Sequence, residues 1–240
     1  MKEAKNPAKT APENPQSAIR NSQSKEPRHT WVFPFMSEVF KVYLRLGGWQ
    51  VVGRENIPSS GPVILAPNHA SLLDPPLVGV SCGRWPFIMA KAELFKGIVG
   101  WGIEQMGSFP VKRGSADRAA FKTAKRILGE GHPLLIFPEG TRTRTGQLGP
   151  AEAGLAMLAH SNKAPVVPVY IAGTGNAFSP RRGGFRLVKA RIEFGKPLYF
   201  EAEYAKKADR ETLNAIGERI MSEIAALRDD YARQNGISSR

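Results

Sequence analysis

Short runs of β-branched and aromatic residues alternate along this chain with longer stretches of helical periodicity, and few folds accommodate that order. The strand-like runs fall at 50–52, 63–66, 87–90, 108–111, 134–137, 166–171 and 187–194. Helical patterns occupy 116–128 and 153–160 between them. Strands that alternate with helices form parallel sheets covered on both faces, so the expectation is an α/β fold with a largely parallel central sheet flanked by helices. Leu213, Ile216, Ile220, Ile224 and Leu227 recur at helical spacing within 211–233, which predicts a closing helix against the body. No internal repeat breaks the pattern, and 50–240 reads as a single domain. Two Gly-rich polar stretches, 141–150 and 172–184, read as exposed loops of the kind that close over substrates.

Ahead of this body, 1–30 is polar, basic and Pro-containing, without the apolar centre of a secretory signal, and reads as a disordered tail. From 31 to 49 the pattern changes to an amphipathic helix preceding the domain, with Met36, Val39, Phe40 and Tyr43 on one stripe. Such a stripe either packs on its own domain or lies at a bilayer interface, where Trp31, Phe33 and Phe35 with Lys41 and Arg45 would suit a monotopic anchor. The two uses are compatible on different faces. No stretch reaches the ~20 apolar residues of a membrane-spanning helix.

Lysine and arginine number 34 against 21 aspartates and glutamates, a net charge of +13, so anionic partners are favoured. Zinc-finger spacing and ribonucleoprotein-type aromatic motifs are missing, and the basic residues are dispersed, which turns the expectation from nucleic acid to an anionic membrane surface. The single cysteine, Cys82, sits among apolar neighbours and reads as a core filler. One cysteine forms no internal disulfide, in keeping with a reducing cytoplasm.

Chemistry concentrates directly after two of the strands. The run 68–75 holds His69 and Asp74 five positions apart, and 137–142 holds Phe137, Pro138, Glu139, Gly140, Thr141 and Arg142. An imidazole is an effective base when a carboxylate fixes its tautomer, so His69 and Asp74 form a candidate dyad for deprotonating a hydroxyl. In parallel sheets ligands gather beyond the carboxyl ends of strands, so the two clusters are expected to meet in one crevice. Ser71 is better suited to bonding nearby backbone than to acting as a nucleophile. His29, His132 and His160 stand outside this grouping, and two ligands are too few for a metal site, so no metal is expected.

Four blocks in this order resemble the PlsC-like glycerolipid acyltransferases: Asn68-His69 through Asp74-Pro75; Lys91-Ala92-Glu93-Leu94 on to Gly107 through Arg113; Phe137 to Arg142; and Val167 to Ile171. The resemblance implies an O-acyltransferase in which His69 is the general base and Asp74 steadies it. It implies transfer of a fatty acyl group to the sn-2 hydroxyl of 1-acyl-glycerol 3-phosphate. Acyl-CoA or acyl carrier protein would serve as donor, and no cofactor is needed. Arg113 and Arg142 are then the expected phosphate ligands, supported by Glu139, Gly140, Thr141, Lys112 and Lys91. An enzyme of this kind would work as a peripheral protein on the cytoplasmic face of the cell membrane. Many members continue the third block with Phe-Lys-x-Gly, where this chain has Ala151-Glu152-Ala153-Gly154. That departure keeps open another acceptor, such as a lyso-ornithine lipid, and a catalytically silent membrane-binding protein is a third reading.

Overall fold

The structure, a computed structural model, describes residues 30–112, 117–143, 147–179 and 184–237. Seven strands form the main sheet: β1 (Gln50–Val52), β2 (Val63–Pro67), β3 (Phe87–Lys91), β4 (Ser108–Val111), β5 (Pro133–Leu135), β6 (Val166–Ala172) and β9 (Arg191–Phe194). Their order across the sheet is β1-β9-β6-β2-β5-β3-β4. The five strands from β6 to β4 run parallel, while β9 pairs antiparallel with β6 and carries β1 parallel to itself. A two-stranded ribbon, β7 (Phe178–Ser179) with β8 (Gly184–Phe185), stands apart.

The fold is therefore the α/β arrangement expected from the alternation. All of β2 is buried, as befits a central strand covered on both faces. Its side chains alternate: Ile64 and Ala66 enter one core layer, Val63 and Leu65 the other. The first layer is completed by α4 (Arg118–Gly129), α5 (Ala153–Asn162) and α7 (Arg210–Gln234). The second lies under α1 (Val32–Gly47) and α2 (Asp74–Ser81), with Leu44, Leu77 and Val78 buried in it. Also present are α3 (Gly97–Gln105), between β3 and β4, and the short α6 (Glu201–Tyr204). Among the described residues no helix is long and apolar enough to cross a membrane.

Three boundaries differ from the sequence reading. The last strand begins at Arg191, because the preceding segment backs onto the end of α1: a Cβ on Gly47 would meet the Val188 carbonyl at 2.3 Å. Strand β5 stops at Leu135, and Phe137 turns away to serve the site described below. The loop expected over 172–184 contains a short helical turn and the start of the β7–β8 ribbon. The tail 1–29 lies outside the described residues.

The closing helix behaves as its periodicity requires, with Leu213, Ile216, Ile220 and Ile224 all buried in the first layer. Ile220→Ala removes a fully buried side chain. It is expected to lower unfolding free energy by ~2–5 kcal/mol, read from the shift in urea midpoint at unchanged slope.

Candidate active site

Because β2, β5 and β6 are adjacent and parallel, the residues that follow them emerge on one edge. The chain leaves β2 through Asn68, whose side chain extends the ladder in place of backbone. Its Oδ1 accepts from the Ile171 amide at 2.7 Å and its Nδ2 donates to the Ile171 carbonyl at 3.1 Å. That double bond fixes the direction in which the next residue, His69, departs. The His69 carbonyl is held in turn by the Thr143 amide at 2.8 Å, which ties the loop after β5 to the loop after β2.

Asp74 organises the segment. Its Oδ2 lies 2.9 Å from His69 Nδ1 and accepts from the amides of Ala70 and Ser71, each at 2.7 Å. A carboxylate only accepts, so Nδ1 carries the ring proton and Nε2 is the basic nitrogen. Asp74 is fully buried and is the first residue of α2, followed by Pro75 and Pro76. Proline suits a first turn that has no intrahelical use for those amides, and the positive end of the helix dipole favours the carboxylate. The Ser71 hydroxyl accepts from the Leu73 amide at 3.3 Å, the local backbone role expected of it.

The imidazole stacks on Phe137, with ring centroids 3.8 Å apart and planes inclined by 24°. The two post-strand clusters thus converge, and their contact is direct. The ring is largely covered, while Nε2 bonds to no described residue and is not sealed from solvent.

Phe137 also lines a groove of about 700 Å³, within the range of small-molecule sites. The groove runs between β3, β4 and β5 below and α4 and α5 above, and its walls are mostly apolar: Met89, Val111, Phe121, Ile136, Leu155 and Leu158. Polar groups sit on its lining at Lys112, Asp117, Arg118, Thr141 and Glu152. An apolar space of this volume with charged groups on its lining has room for an amphipathic ligand.

The other expected site residues distribute around this centre. Gly140 and Thr141 line the groove, as does Lys112, whose backbone amide also donates to Asp117. Gly140 has φ +63°, a conformation that favours glycine, and a Cβ there would meet the Glu152 side chain at 3.0 Å. Glu139 accepts from the Gly149 amide at 3.0 Å through Oε2, and its Oε1 is buried with no hydrogen-bond partner. The carboxylate therefore orders the following loop and pairs with no described arginine. Arg142 is exposed, one residue from the Thr143 amide that grips His69. Lys91 is exposed at the end of β3 with Glu93 at 3.5 Å, outside the groove lining. Arg113 lies outside the described residues.

Sequence reasoning did not single out Arg118 or the groove walls. Phe121, Leu155 and Leu158 carry the same helical stripe whether they face a slot or a packed core, so periodicity alone gives no signal for them. Among the described residues no cluster of three or more His, Cys, Asp or Glu side chains is arranged to hold a metal ion.

Known proteins share this architecture. A family model described as Acyltransferase matches residues 48–172. The chain is 31% identical over 201 residues to the 1-acyl-sn-glycerol-3-phosphate acyltransferase of Bacillus subtilis (strain 168), covering 82% of this chain and 96% of that one. It is 32% identical over 178 residues to the chloroplastic 1-acyl-sn-glycerol-3-phosphate acyltransferase BAT2 of Brassica napus, spanning 71% of this chain and half, 50%, of that longer protein. The crystal structure of the 1-acyl-sn-glycerophosphate (LPA) acyltransferase PlsC from Thermotoga maritima has the same fold, with a TM-score of 0.60 at 24% identity over 89% of this chain and 88% of that one.

Cys82 stands apart from this chemistry. It is buried, its Sγ donates to the Arg84 carbonyl at 2.9 Å, and burial pushes its thiol up to about 12. A thiol so held is protonated throughout the neutral range and is no nucleophile. The native protein at pH 8 is expected to resist a thiol-reactive dye that labels it fully in denaturant; prompt labelling of the native form would contradict that placement.

Proposed function

The chain belongs to the acyltransferase family, and on that footing we propose that it forms phosphatidate by moving a fatty acyl group to the free sn-2 hydroxyl of 1-acyl-glycerol 3-phosphate. The observation that carries this reading is the His69–Asp74 pair held beside an apolar groove through Phe137. The donor is an acyl thioester, of coenzyme A or of acyl carrier protein, and the chemistry calls for no further cofactor.

In this reading the acceptor hydroxyl approaches His69 Nε2, which takes its proton as the oxygen attacks the thioester carbonyl. Asp74 stabilises the imidazolium that forms and holds its ring orientation. The tetrahedral intermediate then collapses, the carbon–sulfur bond breaks, and the departing sulfur recovers the proton from the imidazolium. The acyl chain lies along the groove walled by Met89, Phe121 and Leu155. Lys112, Arg118 and Arg142 supply positive charge for the acceptor phosphate, joined by Arg113, which follows Lys112 in the chain. Thr141 and Gly140 border the same space, and Glu139 braces the loop that bears them.

A second acceptor class is favoured by one observation. Glu152 places a carboxylate on the groove lining, where it opposes a phosphate and suits a headgroup with a cationic amine, such as that of a lyso-ornithine lipid. The choice between the two is a contest between the cations on the lining and this single anion.

Both substrates partition into lipid, so the enzyme is expected to work as a peripheral protein at an anionic bilayer, on its cytoplasmic face. Helix α1 and the Trp31 before it support this: Leu44 is buried against the body while Trp31, Phe35, Val39, Val42 and Leu46 are exposed. One side of the helix is thus packed on the body while another is free to meet a bilayer. The chain then comprises a tail over 1–30, an interfacial helix over 31–49 and the acyltransferase body over 50–240.

Purified protein supplied with labelled acyl-CoA and lysophosphatidate is expected to make phosphatidate, and His69→Ala to lower kcat by ~100-fold or more with little change in thermal midpoint. Equal turnover by both proteins would remove the mechanism. In an acceptor panel, Arg142→Ala is expected to raise KM for lysophosphatidate several-fold more than for lyso-ornithine lipid. A uniform effect on both would take phosphate recognition away from that residue.

A further inference from the structure

We propose that α3 is a second lipid-docking element, which together with α1 forms one face that seats this protein on an anionic phospholipid bilayer. Helix α3 is short and nearly uncharged, and it presents its apolar side chains outward. Ile98 is 83% exposed, Val99 60% and Trp101 52%, while the residue turned inward is Gly100, where a Cβ would meet the Phe95 backbone at 2.4 Å. This inverts the pattern of a helix packed on its own domain, which buries its large apolar residues and exposes its small or polar ones. A cluster of large apolar side chains left in water marks a contact surface.

The segment leading into α1 touches the end of α3. The Thr30 amide, two residues before α1, donates to the carbonyl of Gln105, the last residue of α3, at 3.4 Å. The Trp85 indole donates to the Met106 carbonyl at 2.9 Å, anchoring the same end to the core layer beneath α1 and α2. Trp31, 87% exposed, follows Thr30 directly and carries the apolar surface from one helix to the other. A tryptophan at each element is the side chain best suited to the headgroup level, apolar in body and polar at its N–H.

Charge selects the occupant. The acidic groups Glu38 and Glu93 are each paired with a lysine, at 2.6 Å to Lys41 and 3.5 Å to Lys91. Arg45 and Lys96, the residue before α3, are exposed with no ion pair to a described residue, and Glu104 is half-buried at the far end of the helix. A face that is apolar at its centre with spare cations at its border fits an anionic bilayer, where each basic residue near the surface attracts the leaflet. A second copy of the chain, equally basic at +13, would be repelled.

The placement also serves the chemistry proposed above, on which only this last step rests. Helix α3 begins shortly after β3 ends at Lys91, on the sheet edge that holds His69, and Met89 of β3 lines the groove. A bilayer contacting Ile98 and Val99 is therefore brought to the edge where an acyl chain would enter.

The test uses full-length protein with Ile98→Cys labelled by an environment-sensitive fluorophore, Cys82 being buried. On vesicles of phosphatidylglycerol and phosphatidylcholine the emission is expected to shift to the blue and strengthen, and on phosphatidylcholine alone to change little. Ile98→Asp with Val99→Asp, both at exposed positions, is expected to lower flotation with the anionic vesicles by about tenfold while leaving turnover of a water-soluble, short-chain lysophosphatidate at the parent level. Unchanged emission while the protein still floats would overturn the assignment and leave binding to α1 alone. A blue shift that grows with protein concentration in the absence of vesicles would overturn it in favour of self-association. Loss of turnover by the parent protein with vesicle binding intact would strike the proposed activity and leave the docking face standing.

Discussion

The site depends on a single buried carboxylate. Asp74 oxygen Oδ2 receives two backbone amides and a ring nitrogen, and no other residue of the segment could satisfy all three. Removing it would strand the Ala70 and Ser71 amides in a dry environment as well as freeing the imidazole, so its structural and functional roles cannot be separated by deletion. The carboxylate is affordable there because it opens a helix, where unpaired amides and the helix dipole both favour negative charge. The Pro75-Pro76 pair that follows fixes the start of that helix, and with it the distance back to His69.

Parallel pairing gives this local arrangement its reach. Strands β2 and β5 lie about seventy residues apart in sequence, yet register places Leu65 opposite Leu135. The residues that follow therefore leave the sheet side by side, which is why His69 can stack on Phe137. Asn68 completes the geometry from the other flank by borrowing both polar groups of Ile171 in β6. Three neighbouring strands thus each supply one constraint on a single imidazole, and its direction does not rely on any mobile side chain. Strands β9 and β1, parallel to each other and antiparallel to the other five, lie beyond β6 and contribute core, with no residue in the groove.

How far the sequence disclosed this depends on the kind of signal. Central strands declared themselves because β2 and β6 are apolar on both faces, and α7 because Leu213, Ile216, Ile220 and Ile224 keep strict helical spacing. The convergence of His69 with the cluster at Phe137 was legible too, since parallel topology requires it. Helices α2 and α3 were not. The first opens on two prolines and is buried on nearly every side, so it has no polar face to create a period. The second is rich in glycine and exposes its apolar residues, the reverse of the pattern that periodicity detects. The reach of Glu139 to the Gly149 amide is a property of loop geometry that side-chain chemistry does not foretell.

Glu152 shows how a departure in sequence can be absorbed by the fold. As the residue before α5 it stands at a helix start, where a carboxylate is favoured by the same dipole that serves Asp74. Its side chain packs over Gly140, filling the space that the glycine leaves open. The groove lining still carries Lys112 and Arg118 against Asp117 and Glu152. Asp117, however, is engaged by the amides of Lys112, Ala119 and Ala120, which disperse its charge into the cap of α4. The two cations are thus left facing one free carboxylate, and Arg142 adds a further positive charge from the adjoining loop. Positive charge therefore still outweighs negative on this part of the groove lining despite the missing lysine.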